Sequence, residues 1–272
     1  GAQSYGDDVT LGVATIATTV FNGGSVSFGK KLDGASDVTV NASGATSFGG
    51  AVGSGTPLLS LTTDAAGSTS LGADVTTVNA QTYGDAVTLS GDVTARSTGN
   101  KDITFQKNVD GAHNLAGNTA GKTVFSGVVG GATPLASLTT DSQGETDLGG
   151  NITTSGAQTY NDSVVLVADV TSVSTGGKTI TFGSTVDGAH KLEVDSAGDE
   201  IFAGKVGSST ALASLTTDGG STVGGTAFLN GGSVKTTGAQ HYNDNVAMNN
   251  VVSARGRNSR QNPAATGNLV LE

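Results

Sequence analysis

The stretch AQTYGDAVTLSGDVTARSTGNKDITF, residues Ala80–Phe105, recurs 77 residues further on as AQTYNDSVVLVADVTSVSTGGKTITF, residues Ala157–Phe182. The alignment extends without a gap from Gln81–Asp141 onto Gln158–Asp218. Self-similarity at a fixed spacing is typical of repeat architectures, in which each unit contacts mainly its neighbours. The fold therefore has to be one that a repeated unit can build by stacking.

The same unit occurs across the whole chain. The motif AQ-x-Y places tyrosines at positions 5, 83, 160 and 242, and the last spacing is longer because extra residues fall in GGSTVGGTAFLNGG, residues 219–232. The predicted repeat units are approximately 2–79, 80–156, 157–238 and a partial unit 239–272. A spacing of 77 residues also relates three phenylalanine pairs, namely Phe28 and Phe48, Phe105 and Phe125, and Phe182 and Phe202.

Apolar residues within each unit alternate over short runs, as where Ile103 and Phe105 flank Thr104. This period of two predicts short strands with one buried face, and no run has the spacing of a helix. Tyr83, Phe105 and Phe125 follow one another at 22 and 20 residues, which suits one coil of a three-sided solenoid. We therefore predict an all-β, right-handed parallel β-helix over residues 1–272, with three to four coils per repeat. A string of Ig-like sandwiches is the alternative, but the chain lacks Trp and Cys. The predicted core residues are Phe28, Phe48, Phe105, Phe125, Phe182, Phe202, Tyr83 and Tyr160.

Composition excludes several classes of function. A net charge of -10 opposes condensation onto nucleic acid or anionic lipid, and only Arg255–Arg260 forms a basic stretch. The absence of cysteine excludes disulfides and thiolate chemistry. No run is apolar enough to span a bilayer, and the first residues do not resemble a signal peptide. Because the sequence opens inside the repeated motif GAQSY, we expect a segment of a longer protein.

The motif VDGAH occurs twice, and it pairs Asp110 with His113 and Asp187 with His190. Such pairs could orient a base or hold a metal ion. The first unit has LDGAS instead, with Ser36 in place of the histidine. What recurs is the Asp-Gly sequence of a turn, so we predict turns and solvent-facing histidines.

Other polar residues suggest sites that the repeat pattern does not favour. Five acids follow TY, HY or LTT and are candidates for a glycosidase pair, namely Asp85, Asp162, Asp244, Asp141 and Asp218. Equivalent acids one repeat apart would be too distant for glycoside hydrolysis, although acids on neighbouring coils could meet. No tandem calcium-binding nonapeptide is present. Threonine pairs such as Thr62-Thr63 recur only once per unit, which opposes an ice-binding face.

The segments GAQTYNDSVVL, ITFGSTVDGAHKLEV, IFAGKVG and LASLTTD resemble the strand repeats of filamentous-haemagglutinin-like exoproteins, which two-partner secretion exports from bacteria. They are also similar to repeats in autotransporter passengers. The resemblance covers nearly the whole chain up to about Ala254. It implies that the segment serves as a shaft, and that the longer protein is secreted or displayed at the bacterial cell surface.

The function predicted from the sequence is therefore a structural or adhesive stalk segment of a large surface adhesin. We predict no enzyme activity, no cofactor and no metal ligands. The expected partners are host-cell or neighbouring-cell glycans or proteins, contacted through the longer protein, with no nucleic acid and no membrane insertion by this segment, which should be monomeric. A carbohydrate-binding or carbohydrate-cleaving β-helix is the alternative function.

Overall fold

The computed structural model describes residues 1–12, 18–218 and 224–248, together with the backbone of residues 252–255 and 269–271. The chain divides into two compact units, Gly1–Leu135 and Ala136–Glu272. Within the described residues each unit is built from short strands that stack in parallel, without a helix, as a β-solenoid. The predicted all-β solenoid class is therefore confirmed. No helix that could cross a membrane is found among the described residues.

The first unit has three faces, and each coil contributes one strand to each face, except that one coil contributes only the bridge residue Val52 to the third face. Sheet 1a contains β1, β4, β7, β9, β12 and β15, sheet 1c contains β3, β6, β8, β11, β14 and β17, and the third face contains β2, β5, β10, β13 and β16. The strand bounds are β1 Ala2–Tyr5, β2 Val9–Thr10, β3 Thr18–Gly23, β4 Ser25–Phe28, β5 Leu32–Asp33, β6 Asp37–Ala42, β7 Ala45–Phe48, β8 Ser60–Thr63, β9 Ser68–Leu71, β10 Val75–Thr77, β11 Gln81–Tyr83, β12 Ala86–Leu89, β13 Val93–Ser97, β14 Ile103–Phe105, β15 Val109–Asp110, β16 Asn114–Asn118 and β17 Lys122–Phe125.

The second unit repeats this design. Sheet 2a contains β20, β23, β26, β28 and β31, sheet 2b contains β18, β21, β24, β27, β29 and β32, and the third face contains β19, β22, β25, β30, β33 and β34. The strand bounds are β18 Ser137–Thr140, β19 Glu145–Leu148, β20 Ile152–Thr154, β21 Gln158–Tyr160, β22 Ser163–Leu166, β23 Val170–Ser174, β24 Ile180–Phe182, β25 Val186–Asp187, β26 Lys191–Ser196, β27 Glu200–Phe202, β28 Ser214–Thr217, β29 Thr226–Leu229, β30 Ser233–Lys235, β31 Gln240–Tyr242, β32 Asn245–Ala247, β33 Val252–Arg255 and β34 Leu269–Leu271.

Aromatic rings from successive coils stack inside the solenoid. Phe105 lies between Tyr83 and Phe125, with ring centroids 4.9 and 5.3 Å apart and the planes within 9° of parallel. Two other sequence repeats contain equivalent stacks, Tyr5–Phe28–Phe48 and Tyr160–Phe182–Phe202. All eight aromatic residues assigned to the interior from sequence are at most 1% exposed. The parallel ladder enforces these stacks, because it places residues of equal register directly above one another.

The AQ-x-Y motif also places a polar group in the core. Gln81 is fully buried, and its Oε1 accepts a hydrogen bond of 2.9 Å from the Tyr83 hydroxyl. Its Nε2 donates to the carbonyl of Arg96 at 2.9 Å. Gln158 and Tyr160 form the same pair at 2.9 Å. The glutamine recurs because it satisfies the buried tyrosine hydroxyl, which would otherwise destabilise the core.

The sequence repeat and the coil are out of step. On sheet 1a the aligned residues Tyr5, Phe28, Phe48 and Leu71 mark three full coils, and Leu89 marks the fourth. The next tyrosine of the motif, Tyr83, falls between Leu71 and Leu89 and lies on sheet 1c instead. One sequence repeat therefore holds more than three coils and fewer than four. Equivalent residues of two sequence repeats, such as Tyr5 and Tyr83, consequently occupy different faces of the first unit.

Candidate functional site

The two DGAH motifs are turns in which the aspartate binds backbone. Asp110 accepts hydrogen bonds from the N–H groups of Ala132 and Thr133 at 2.8 and 3.1 Å. Asp187 accepts from Ser209 and Thr210 at 2.7 and 2.9 Å. Both aspartates therefore cap a turn in the following coil. Neither pairs with the histidine of its own motif.

The histidines face a different carboxylate. His113 Nδ1 lies 3.6 Å from Asp92 Oδ1, and His190 Nδ1 lies 3.6 Å from Asp169 Oδ1. All four side chains are more than a third exposed. The pKa of the Asp92 carboxyl is lowered chiefly by the backbone N–H of Asn114. These are solvent-exposed contacts on the outer surface, and no further metal ligand joins them among the residues that the structure describes.

The outer surface of sheet 1c carries a row of threonines that the spacing of the pairs did not suggest. Thr39, Thr62, Thr82 and Thr104 are direct neighbours on four successive coils. The row arises because the QTY and ITF motifs bring Thr82 and Thr104 into the register of the LTT motif. Single threonines therefore do lie on successive coils of this face, although the threonine pairs recur only once per sequence repeat.

The acid after each TY motif is buried, and threonines of neighbouring coils clamp it. Asp85 Oδ1 accepts hydrogen bonds from Thr63 and Thr69 at 3.0 and 2.7 Å. In the second unit Asp162 accepts equivalent bonds from Thr140 and Thr146, at 2.7 and 2.9 Å. Burial raises the pKa of Asp162 to about 6, and it also raises that of Asp85. Both acids are therefore buried between coils and held by threonine hydroxyls.

The third copy of this clamp has different residues. Glu200 occupies the position of Thr46 and Thr123 in the earlier repeats. Its direct neighbour on the next coil is Ala227, whereas the neighbour of Thr46 is Thr69. The Thr69 hydroxyl that binds Asp85 is therefore replaced by Ala227 beside Asp244. One coil before Ala227, the carboxylate of Glu200 replaces the hydroxyl of Thr46.

Glu200, Asp218 and Asp244 form a buried carboxylate cluster in the second unit. One oxygen of each carboxylate lies within 4.8 Å of the others. Glu200 is fully buried, and Asp218 and Asp244 are 5% and 3% exposed. Apart from a neighbouring carboxyl when it is protonated, no hydrogen-bond donor in the described residues reaches either oxygen of Glu200 or of Asp244. The backbone N–H groups of Ser196 and Gly224 bind Asp218 at 3.1 and 3.2 Å.

The electrostatics of this carboxylate cluster are unfavourable for three anions. Burial raises the pKa of Glu200, and Asp244 raises it further. The pKa of Asp218 is also raised, first by burial and then by Asp244. Three carboxylates at this separation cannot all remain ionised in a buried site unless a cation compensates their charge; without a cation, at least one of them has to bind a proton.

Sequence reasoning named Asp218 and Asp244 as candidates but missed Glu200. It also treated Asp141 and Asp218 as equivalent turn acids, whereas only Asp218 belongs to the carboxylate cluster. Two signals in the sequence mark the third repeat as different: glutamate stands where the other repeats have threonine, and extra residues follow Asp218. The basic stretch Arg255–Arg260 lies outside the described residues, apart from the backbone of Arg255.

Comparisons with protein-family models, with curated proteins and with solved structures return no match to this chain. The class of protein that the fold defines is the β-solenoid.

Proposed function

We propose that this chain is a structural shaft segment of a large secreted or surface-anchored bacterial adhesin. The sequence resemblance to exported exoprotein repeats supports the location and the role. The shaft would carry a receptor-binding region of the longer protein away from the cell and would not bind the receptor itself. The expected contacts with glycans or proteins of other cells then belong to that longer protein.

The observation that carries the proposal is the continuous parallel ladder on each face of the units. In sheet 1c each strand pairs with the strand of the next coil, from β3 to β17, and the aromatic stack lies directly behind it. Every coil is therefore fixed by backbone hydrogen bonds on three faces and by registered side chains inside. This arrangement resists bending and local opening, which is the mechanical requirement of a shaft.

The surface charge supports a soluble scaffold. Exposed strands are prone to associate through their edges, and charged side chains oppose this. With 23 acidic residues and 13 basic ones, the chain has a net charge of -10. Repulsion between copies of such a segment favours the monomer that we expect.

Cleavage of carbohydrate has weaker support. The carboxylate cluster contains acids on neighbouring coils, but Glu200 is fully buried and no sugar could reach it. The shallow hollow beside Phe202 and Leu229 has no room even for a water molecule, so it does not serve as a ligand pocket. We therefore keep carbohydrate recognition as an outcome of the test.

The test combines a mechanical and a binding measurement on the purified chain. In force spectroscopy with both ends tethered, we expect stepwise extension by about 7 nm, the length of one released coil of about 20 extended residues. On a glycan array, with a screen for released sugars, we expect no saturable binding and no product. Saturable binding to one glycan class, or turnover of a polysaccharide, would overturn the shaft proposal.

A further inference from the structure

We propose that Glu200, Asp218 and Asp244 form a binding site for one calcium ion. The site goes beyond the shaft function and does not depend on it. It consists of carboxylates from β27, from the residue after β28 and from the segment between β31 and β32. A bound ion would therefore cross-link the coils at the point where the third repeat departs from the other two.

The first argument is the absence of donors around a fully buried side chain. Both oxygens of Glu200 and both oxygens of Asp244 lack a hydrogen-bond partner among the described residues, and so does the buried hydroxyl of Thr217. In the earlier repeats the hydroxyls equivalent to Thr217, those of Thr63 and Thr140, bind the acid of the clamp. The carboxylates of Glu200 and Asp244 therefore lack the donors that buried acids normally have, and together with Asp218 they offer ligands to a cation.

The second argument is the coordinated exchange of residues against the repeat. A threonine pair, such as Thr46 and Thr69, becomes Glu200 and Ala227. Loss of one hydroxyl alone would leave an unsatisfied acid. Gain of a glutamate alone would overfill the interior. Together the two changes leave room for the longer side chain of Glu200 beside Asp244. They replace a hydroxyl donor with a carboxylate that can bind a cation.

The geometry and the ligand chemistry favour calcium among common cations. Ca²⁺ binds oxygen ligands at about 2.3–2.6 Å, so two ligands of one ion lie at most about 5 Å apart. The separations within the carboxylate cluster, all below 4.8 Å, meet this limit. Mg²⁺ is smaller and retains water molecules, which disfavours it among side chains that are at most 5% exposed. The carboxylate set has no nitrogen or sulfur ligand to favour zinc.

Calcium binding should release or absorb measurable heat, and it should raise the thermal stability of the whole chain. After removal of divalent ions, we expect isothermal titration with CaCl₂ to show a single site. At calcium 100-fold above the Kd, the melting temperature should rise by about 5 °C or more. The affinity of the chain for magnesium, measured in the same way, should be less than a tenth of its affinity for calcium. Absence of both heat and thermal shift up to 10 mM CaCl₂ would overturn the proposal and would show that shared protons neutralise the acids. Equal affinity for magnesium would overturn the assignment to calcium.

Two variants distinguish the carboxylate cluster from adventitious surface binding. Glu200→Gln retains the shape and removes one charge, and it should weaken calcium binding at least 100-fold. Glu200→Thr combined with Ala227→Thr restores the pair found in the first repeat, so this variant should fold and should lose the calcium response. Glu193→Gln changes a half-buried acid at an outward-facing position of β26; it is the matched control and should bind calcium as the unmodified chain does. Undiminished calcium binding by the double variant would refute the site even if the shaft proposal stands.

Discussion

Removal of the Phe105 ring tests the aromatic stack most directly. This ring lies between Tyr83 and Phe125, at 4.9 and 5.3 Å, and is only 1% exposed. Phe105→Ala would remove both ring contacts and leave a cavity in the middle of the stack. The ladders hold β14 between β11 and β17, so the coils cannot close together to fill that cavity.

The expected cost is in the upper half of the usual range for this substitution. Truncation of a buried phenylalanine lowers the free energy of unfolding by about 3 to 5 kcal/mol, and the loss is largest where the site cannot collapse. Each stacked ring contact contributes about 0.5 to 1.5 kcal/mol beyond burial. We therefore expect a loss of about 4 to 5 kcal/mol.

Urea unfolding and hydrogen exchange measure the size and the extent of the loss. Because each coil contacts only its neighbours, exchange should accelerate in β11, β14 and β17, while β1 and β4 remain protected. Phe228→Ala provides the matched control, since this ring faces outward on β29 and is half-buried. It should cost less than about 1 kcal/mol. Equal costs for the two variants, or uniform loss of protection across the first unit, would refute the local stacking model.

Three further predictions concern the polar residues. His113→Ser with His190→Ser should leave the melting temperature within about 1 °C, because exposed ion pairs contribute little; a drop of several degrees would restore the histidines as a site. Burial raises the pKa of Asp162 to about 6, so the folded state binds more protons than the unfolded state between about pH 4 and 6. Stability relative to Asp162→Asn should thus fall by up to ~3 kcal/mol as the pH rises through that window, and a pH-independent difference in urea unfolding would contradict the burial effect. Thr46→Glu with Thr69→Ala should create a second calcium site beside the acids of the first repeat, seen as a doubled stoichiometry in titration; an unchanged stoichiometry would show that this residue exchange is not sufficient.

Local patterns determined the elements and the residues that face inward. Alternation such as Ile103-Thr104-Phe105 predicts the strand and the buried ring, because side chains of a strand point to opposite faces in turn. The Asp-Gly turns follow from local chemistry as well: Gly111 adopts a φ of 126°, a backbone conformation that glycine reaches without steric cost. These features depend on a few consecutive residues, which is why sequence reasoning reached them.

The phase between the repeat and the coil required the tertiary structure. Coil length varies, as the spacings from Tyr5 to Phe28 and from Phe28 to Phe48 illustrate. Small differences accumulate over a repeat, so equivalent residues reach different faces, and a threonine row can form from unrelated motifs. Spacing along the chain cannot reveal this, because it does not record where each coil closes.

By itself, the sequence determined that the chain forms stacked parallel strands with aromatic residues inside, since period and repetition are properties of the chain alone. Only the tertiary structure decided that Asp85 and Asp162 are buried clamps and that Glu200 meets Asp218 and Asp244. The physical reason is that contacts between coils depend on register across the ladder, and residues 16 or more positions apart become neighbours only once each coil has closed. The replacement of threonine by glutamate was visible in the sequence, but its consequence depended on which oxygens the fold placed around it.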